Sequence, residues 1–235
     1  MRCAADLHIH SCLSPCAEEE MTPNNIVNMA RLKGLDMIAV ADHNTARHLP
    51  AIEQIARAAG IALLPAMELC SREEVHLLAY FRRVETAVAF SEEMYEHLPP
   101  IENRPDLFGR QVERDAQDEF VREETRLLIS ALDLSIDALT ARIRACGGLA
   151  VPAHINRGAN GILGALGFLP PGADFAAVEI ARELACPAHA SGGYPVLHSS
   201  DAHRLGDILE REVFYDLPAC TADGFFEMLN AARPP

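Results

Sequence analysis

The chain has 235 residues, 49% of them hydrophobic, with 34 acidic against 20 basic side chains and a formal charge of −14. That is ample apolar material for a core, no apolar run is long enough to span a membrane, and such a surface repels a phosphate backbone, so duplex nucleic acid is not an expected partner. The opening MRCAADLHIH leaves no room for a secretory leader, and seven scattered cysteines without a CxxC read as free thiols of a reduced, cytoplasmic protein.

ADLHIHS is the first strand candidate. A helix follows, with Thr22 as N-cap, Pro23 at its first position and Gly34 closing it. DMIAVADH is the next apolar strand, and Pro50–Ala59 a helix with Ile52, Ile55, Ala56 and Ala59 on one face. IALLPAMEL and EVHLLAYF read as the third and fourth strands. From about 85 to 132 the pattern changes to a charged stretch broken by Pro99, Pro100, Pro105 and Gly109. Glu85–His97 reads as a helix, and Ile101–Glu124 as an excursion carrying Arg104, Arg110, Arg114 and Arg122. The alternation then resumes: a helix capped by Ser135 and ended by Gly147, strands at GLAVPAH, AAVEI, PVLHSSDAH and EVFYDL, and a last helix over Asp223–Ala232. Strands alternating with helices predict an α/β fold with a mostly parallel sheet. Neither GxGxxG nor GxxxxGK[ST] occurs, which argues against a dinucleotide or P-loop site.

Polar residues recur at the predicted C-terminal ends of these strands: His8 and His10, Asp42 and His43, Glu68, His76, His154, Asp201 and His203. Residues i and i+2 of a strand share a face, so both HIH and DAH can aim two side chains at one point. A lone histidine beside a loop is usually only a polar residue, and Glu68 or Asp201 alone can be a loop carboxylate or a cap. Recurrence of one residue class at one structural position on six strands is not explained that way. Barrel enzymes carry their active sites at that end.

The ordered set DLHIHS, ADHNT, MELC, VHLLAYF, VPAH and SSDAH resembles the PHP (polymerase and histidinol phosphatase) family, and SPCAEEEMTP with FGRQ resembles a bacterial subgroup of it. The resemblance implies a distorted (β/α)7, TIM-like barrel over residues 1–235, interrupted by the charged insertion, with divalent metals at its C-terminal mouth. It implies that His8, His10, Glu68 and Asp201 hold a first metal, that Glu68 bridges to a second held by His76 and His154, and that His43 and His203 help hold a third. Zinc, manganese or iron suits such mixed nitrogen and oxygen ligands. The implied chemistry is phosphoester hydrolysis by a metal-bridging hydroxide. Expected substrates are a small phosphomonoester such as a sugar or histidinol phosphate, a nucleotide, or a short oligonucleotide end.

Asp6 and Asp42 can orient ligand imidazoles or only bind nearby backbone. Arg157 and Arg182 are candidates to clamp a substrate phosphate. The family often has a third-metal ligand where this chain has Pro15 and Cys16. Pro15 has no ligating side chain, and Cys16 can ligate as thiolate or face away at a turn. Two alternatives stand beside the hydrolase: a non-catalytic, metal-stabilised PHP module, and an amidohydrolase-like enzyme acting on C–N bonds. The latter usually requires a carboxylated lysine, and the only lysine, Lys33, lies in the first helix.

Overall fold

The computed structural model describes residues 1–232. Strand β1 (Arg2–Ile9) leads through a loop to helix α1 (Pro23–Leu32), whose Thr22 side chain accepts from the Asn25 N–H, as expected of an N-cap. Then come β2 (Met37–Val40), α2 (Leu49–Ala59), β3 (Ala62–Leu63) and β4 (Ala66–Cys70). The predicted strand IALLPAMEL is thus two strands divided around Pro65, which has no N–H for a ladder. Next are β5 (His76–Tyr80), α3 (Val84–Glu96), α4 (Pro105–Phe108), β6 (Val112–Arg114), β7 (Phe120–Glu123) and α5 (Ile136–Ala145), capped by the Ser135 hydroxyl. The chain continues with β8 (Leu149–Pro152), α6 (Ile162–Leu166), β9 (Val178–Glu179), β10 (Val196–Leu197), β11 (Phe214–Asp216) and α7 (Ala222–Ala232).

The fold is α/β as expected, but the closed, mostly parallel barrel is not confirmed by these strands. They make four small sheets, ordered β11-β1-β2-β3, β4-β5-β8, β10-β9 and β6-β7, and none closes on itself. β1, β2 and β3 are parallel, but β11 is antiparallel to β1, and β5 is antiparallel to both β4 and β8. Five residues separate β4 from β5, enough for a hairpin but too few for the helical crossover a parallel partner requires. Single bridges stitch the sheets: His43 to Glu68 joins the second strand's exit to β4, and Ile9 to Ala202 joins β1 to the segment after β10.

Most strands are buried on both faces. On β2, Ile38 and Val40 face one apolar cluster with α1 and α2, while Met37 and Ala39 face another with Leu7, Tyr80, Val151, Phe225 and Phe226. Helix α7 supplies Phe225 and Phe226 to that second cluster, and the Tyr80 hydroxyl is satisfied by the Leu7 carbonyl at 2.9 Å. Cys3 and Cys220 form a disulfide with Cα atoms 5.8 Å apart, so the reading of all seven thiols as free does not hold. Among the described residues no helix is long and apolar enough to cross a membrane.

The 101–124 excursion is a short helix and a hairpin docked on the loop that follows β1. The Val112 N–H donates to the Cys12 carbonyl at 3.0 Å. Gly109 has φ +94°, and a Cβ there would lie 2.1 Å from the Pro15 carbonyl oxygen. Buried Gln111 donates to the Glu124 and Arg126 carbonyls and accepts from the Leu128 N–H. FGRQ is therefore the dock: glycine for close approach, glutamine to tie the excursion's two ends.

Candidate metal centre

All eight side chains singled out as ligands meet at one end of the strands, but not all by the route expected. His8 lies near the end of β1, and a register shift between Asp6 and Ile9 re-aims the strand there. Glu68 sits within β4, and His154 follows β8. His76 is the first residue of β5, not the last. Because β5 runs opposite to its neighbours, its beginning reaches the mouth where theirs end. Asp201 and His203 do not share a strand face, because β10 has already ended at Leu197 and Asp201 has φ +52°. His154 also has a positive φ, +28°. Left-handed backbone is uncommon outside glycine, although aspartate and histidine tolerate it better than most, and it persists where surrounding structure fixes it, commonly at functional sites.

Glu68 is the hub. Its Oε1 lies 3.0 Å from His76 Nδ1, 3.1 Å from His154 Nε2 and 3.4 Å from His8 Nε2. Its Oε2 lies 3.1 Å from His43 Nδ1 and 3.4 Å from His10 Nε2. Asp201 Oδ1 lies 3.3 Å from His8 Nε2 and 3.1 Å from His10 Nε2. His203 stacks on His10 with ring centroids 4.4 Å apart. The donor atoms form three overlapping clusters: His8, His10 and Asp201; His43, Glu68 and His76; and His10, His43 and His203.

The outward nitrogens test whether cations fit. His8 Nδ1 faces both oxygens of Glu179, at 3.1 and 3.2 Å, and His10 Nδ1 faces the Ser14 hydroxyl at 3.0 Å. With protons held on those nitrogens, the two Nε2 lone pairs meet each other at 3.1 Å and both meet Asp201 Oδ1. Converging lone pairs are repulsive unless a proton or a cation lies between them. Nearby, buried His43 Nδ1 and Asp201 Oδ1, each 3.1 Å from a cluster atom, make no well-aligned hydrogen bond, and His154 Nδ1 on its outer side makes none either, a costly state that usually has an explanation. Divalent metals fit this donor set.

Without metal, protons take that part. Burial opposes charge on His8, but Glu179, Asp201 and Glu68 outweigh it and raise its pKa well above the ordinary value. Burial likewise opposes charge on His76, but Glu68 raises it to about 10. Burial, with His43 beside it, lowers His10 to about 3. Glu68 is held well below the usual carboxylate range against its own burial, chiefly by His76 and His8.

A cavity of about 140 Å³ opens onto the cluster, lined by His43, Glu68, His76, His154, Asp201 and His203 together with Cys16, Arg157 and Asn160. Arg157 pairs with Asp201 at its wall. Arg182 does not line this cavity; it pairs with Glu212 on the surface at 2.6 Å. Asp6 holds no imidazole: burial raises its pKa, and its oxygens accept from the Ser200 and Leu209 N–H groups, fixing the segment that leads to Asp201. Asp42 holds an imidazole only at one remove, accepting from the Ser14 hydroxyl that His10 faces. Cys16 lines the cavity but joins none of the three clusters. Crowding by the surrounding chain, with Glu68 and Asp201 nearby, pushes its thiol up. Lys33 is at the other end of α1, bonded to the Gly206 carbonyl, so the carboxylated-lysine device has no lysine at the site.

Glu179 is the functional residue the sequence reading passes over. It is 2% exposed, and besides His8 it accepts from the His154 N–H at 2.9 Å. Its signal was available: a carboxylate inside the apolar strand AAVEI has no bland place to go.

No family model matches the chain, and no characterised relative matches it by sequence. Solved structures do match. The lesion-specific endonuclease Q of Pyrococcus furiosus superposes with a TM-score of 0.71 at 18% identity, over 98% of this chain and 56% of that one. Endonuclease Q in complex with a 27-mer duplex bearing an abasic lesion gives 0.72 at 18% identity, over 98% and 57%. The chain therefore spans little more than half the length of those proteins. A protein of Bifidobacterium adolescentis assigned as a metal-dependent phosphoesterase gives 0.64 at 19%, over 96% and 95%. A two-domain protein of Bacteroides vulgatus containing a predicted PHP-like metal-dependent phosphoesterase gives 0.59 at 16%, over 99% and 64%. The expectation against duplex nucleic acid does not survive the second of these, since the same fold is found in a protein bound to duplex DNA. Net charge averages over a whole surface, whereas binding answers to the local potential, and bound cations invert that potential at a site. Architecture and motif order agree: the chain has the fold of the PHP-like metal-dependent phosphoesterases.

Proposed function

We propose that the chain is a metal-dependent phosphoester hydrolase. The observation that carries this is the convergence of His8 Nε2, His10 Nε2 and Asp201 Oδ1 with their outward sides already bonded, next to a carboxylate, Glu68, touched by five imidazoles. In this reading His8, His10, Glu68 and Asp201 hold one divalent cation, Glu68, His76 and His154 a second, and His43 with His203 a third. Zinc, manganese or iron suits these ligands, and bound cations supply Lewis-acid stabilisation of phosphoryl charge and a nucleophile of lowered pKa. Glu179 and Ser14 hold the outer Nδ1 protons of His8 and His10, so that Nε2 is the nitrogen each turns to a cation. Arg157, with its side chain 37% exposed beside Asp201, is placed to meet a phosphoryl oxygen bidentately. The absence of a site lysine disfavours the C–N hydrolase.

The fold neighbours widen the substrate class from small phosphomonoesters and nucleotides to nucleic-acid phosphodiesters. The test is a panel of phosphomonoesters, nucleotides, single strands, and duplexes with and without an abasic lesion, each with Mn²⁺ or Zn²⁺ and with chelator. Chelator-sensitive hydrolysis of one class is expected. A protein shown to hold its metals that hydrolyses nothing on the panel is the non-catalytic module instead.

A further inference from the structure

His48 belongs to no ligand cluster, yet it is 1% exposed and bonded on both nitrogens. Its Nε2 accepts from the backbone N–H of Arg114, in strand β6 of the docked hairpin, at 2.8 Å. A backbone amide can only donate there, so the ring proton is on Nδ1, which donates to the Ser11 hydroxyl oxygen at 2.6 Å. That oxygen also accepts from the Leu13 N–H, so its own proton goes to Asp42 Oδ2 at 2.6 Å. Asp42 Oδ1 takes the Ser11 N–H and the Ser14 hydroxyl proton, each at 2.7 Å. The Ser14 oxygen is left to accept the His43 N–H at 3.2 Å and His10 Nδ1–H at 3.0 Å. Every donor proton in the chain is used once, and the direction is forced from both ends: by an amide that cannot accept, and by a carboxylate that cannot donate.

We propose that His48 is a positioning residue of the metal centre, through which the docked hairpin fixes the tautomer and aim of His10. This rests on reading His10 as a metal ligand. If the hairpin lifts, His48 loses the amide that dictates its tautomer. Nδ1 then becomes free to accept from Ser11, the Ser11 proton leaves Asp42, and the carboxylate that anchors Ser14 is held by one bond fewer. The effect reaches a ligand nitrogen although no residue of the hairpin touches it. The relay gives His48 and the docked excursion a common purpose.

The test uses the full chain with His48→Phe, which keeps the ring's bulk and removes both bonds, and His48→Gln, which keeps one donor and one acceptor. Zinc affinity is read by competition with a chromophoric chelator. The His10 tautomer is read from long-range proton–nitrogen spectra with and without zinc. Wild type should show His10 protonated at Nδ1. His48→Phe should weaken one zinc site about tenfold to 100-fold, the usual scale for losing a ligand's outer partner, and turn the His10 signal into a tautomer mixture. His48→Gln should recover most of both. If His48→Phe does not fold, Ser11→Ala cuts the same relay with His48 in place and should give the same two changes. Unchanged zinc affinity and an unchanged His10 signal in the folded variant overturn the proposal, as does an equal weakening of every site. A chain whose zinc affinity depends on His48 but which hydrolyses no phosphoester defeats the functional reading and leaves this one standing. A hydrolase indifferent to His48 does the reverse.

Discussion

Glu179 shows how much of this site is carried by residues that never face the cavity. One carboxylate holds the outer nitrogen of His8 on β1 and the backbone amide of His154 after β8, where φ is +28°. It thus positions two ligand-bearing segments far apart in sequence. Glu179→Gln keeps the shape but removes the charge that draws a proton to His8 Nδ1, and metal affinity should fall tenfold to 100-fold by chelator competition. Glu68→Ala should be harsher. It removes the one side chain close to five imidazoles, so metal content by elemental analysis should drop by more than one ion per chain and turnover by at least ~100-fold. A Glu68→Ala protein that keeps two ions and near-normal rates is not bridged there. At this scale the residues brought together were legible, because strand-end histidines and carboxylates in a fixed order are a recognisable pattern. Glu179 was legible only as a carboxylate out of place in an apolar strand, and only the fold shows that its partner is His8. Arg182 was misread for the converse reason: an arginine after a strand has no preferred direction until its partner, here Glu212, is known.

At the scale of elements, helices and their caps could be read and strand directions could not. Thr22, Pro23 and Ser135 announce helix starts by local chemistry. Nothing local to EVHLLAYF says that it runs antiparallel, since a strand buried on both faces looks the same in either direction. The excursion was legible as a break in pattern, and FGRQ as a motif, but its dock became intelligible only when Gly109 met the Pro15 carbonyl. Gly109→Ala should cost about 1–3 kcal/mol through a disfavoured φ plus the clash, and should raise hydrogen exchange over residues 105–124 before the strands respond. The dock's outer anchor is Glu124, which accepts from Tyr95 Oη and the Arg126 N–H at 2.9 Å each and pairs with Arg47 at 2.5 Å. Burial opposes its charge, but these partners hold its pKa below the ordinary carboxylate value. Its contribution is therefore complete above the unfolded pKa of about 4.3 and fades as pH falls through the lower folded value. Glu124→Gln should lose ~1–3 kcal/mol at neutral pH and decline less steeply below pH ~4, by denaturant titration across pH.

For the whole molecule, the cluster of converging lone pairs would make a bound metal a structural partner as well as a chemical one. Removal by chelator should lower the melting temperature, because a ligand that binds only the folded chain stabilises it by mass action. His8 and His76 have raised pKa values, so in the metal-free protein both imidazoles hold protons at neutral pH that metal must displace. Apparent affinity should therefore rise with pH and fall on acidification, with proton release visible by calorimetry in buffers of different ionisation heat. Composition read this scale least well. The charge of −14 was taken to exclude duplex DNA, although a sum over the surface says nothing of one mouth. The ligands are also spread along nearly the whole chain, from His8 on the first strand to His203 beyond the tenth. During synthesis His8 and His10 emerge some way before Glu179, Asp201 and His203 and must wait for them. Every shorter nascent chain carries side chains destined for burial with their partners not yet made. Closing so long a loop is slow, and partly made chains with such groups exposed are prone to misassociate. On the proposed reading, the full ligand set exists only in a nearly finished fold, so metal would act as a late lock rather than as a nucleus around which the fold begins.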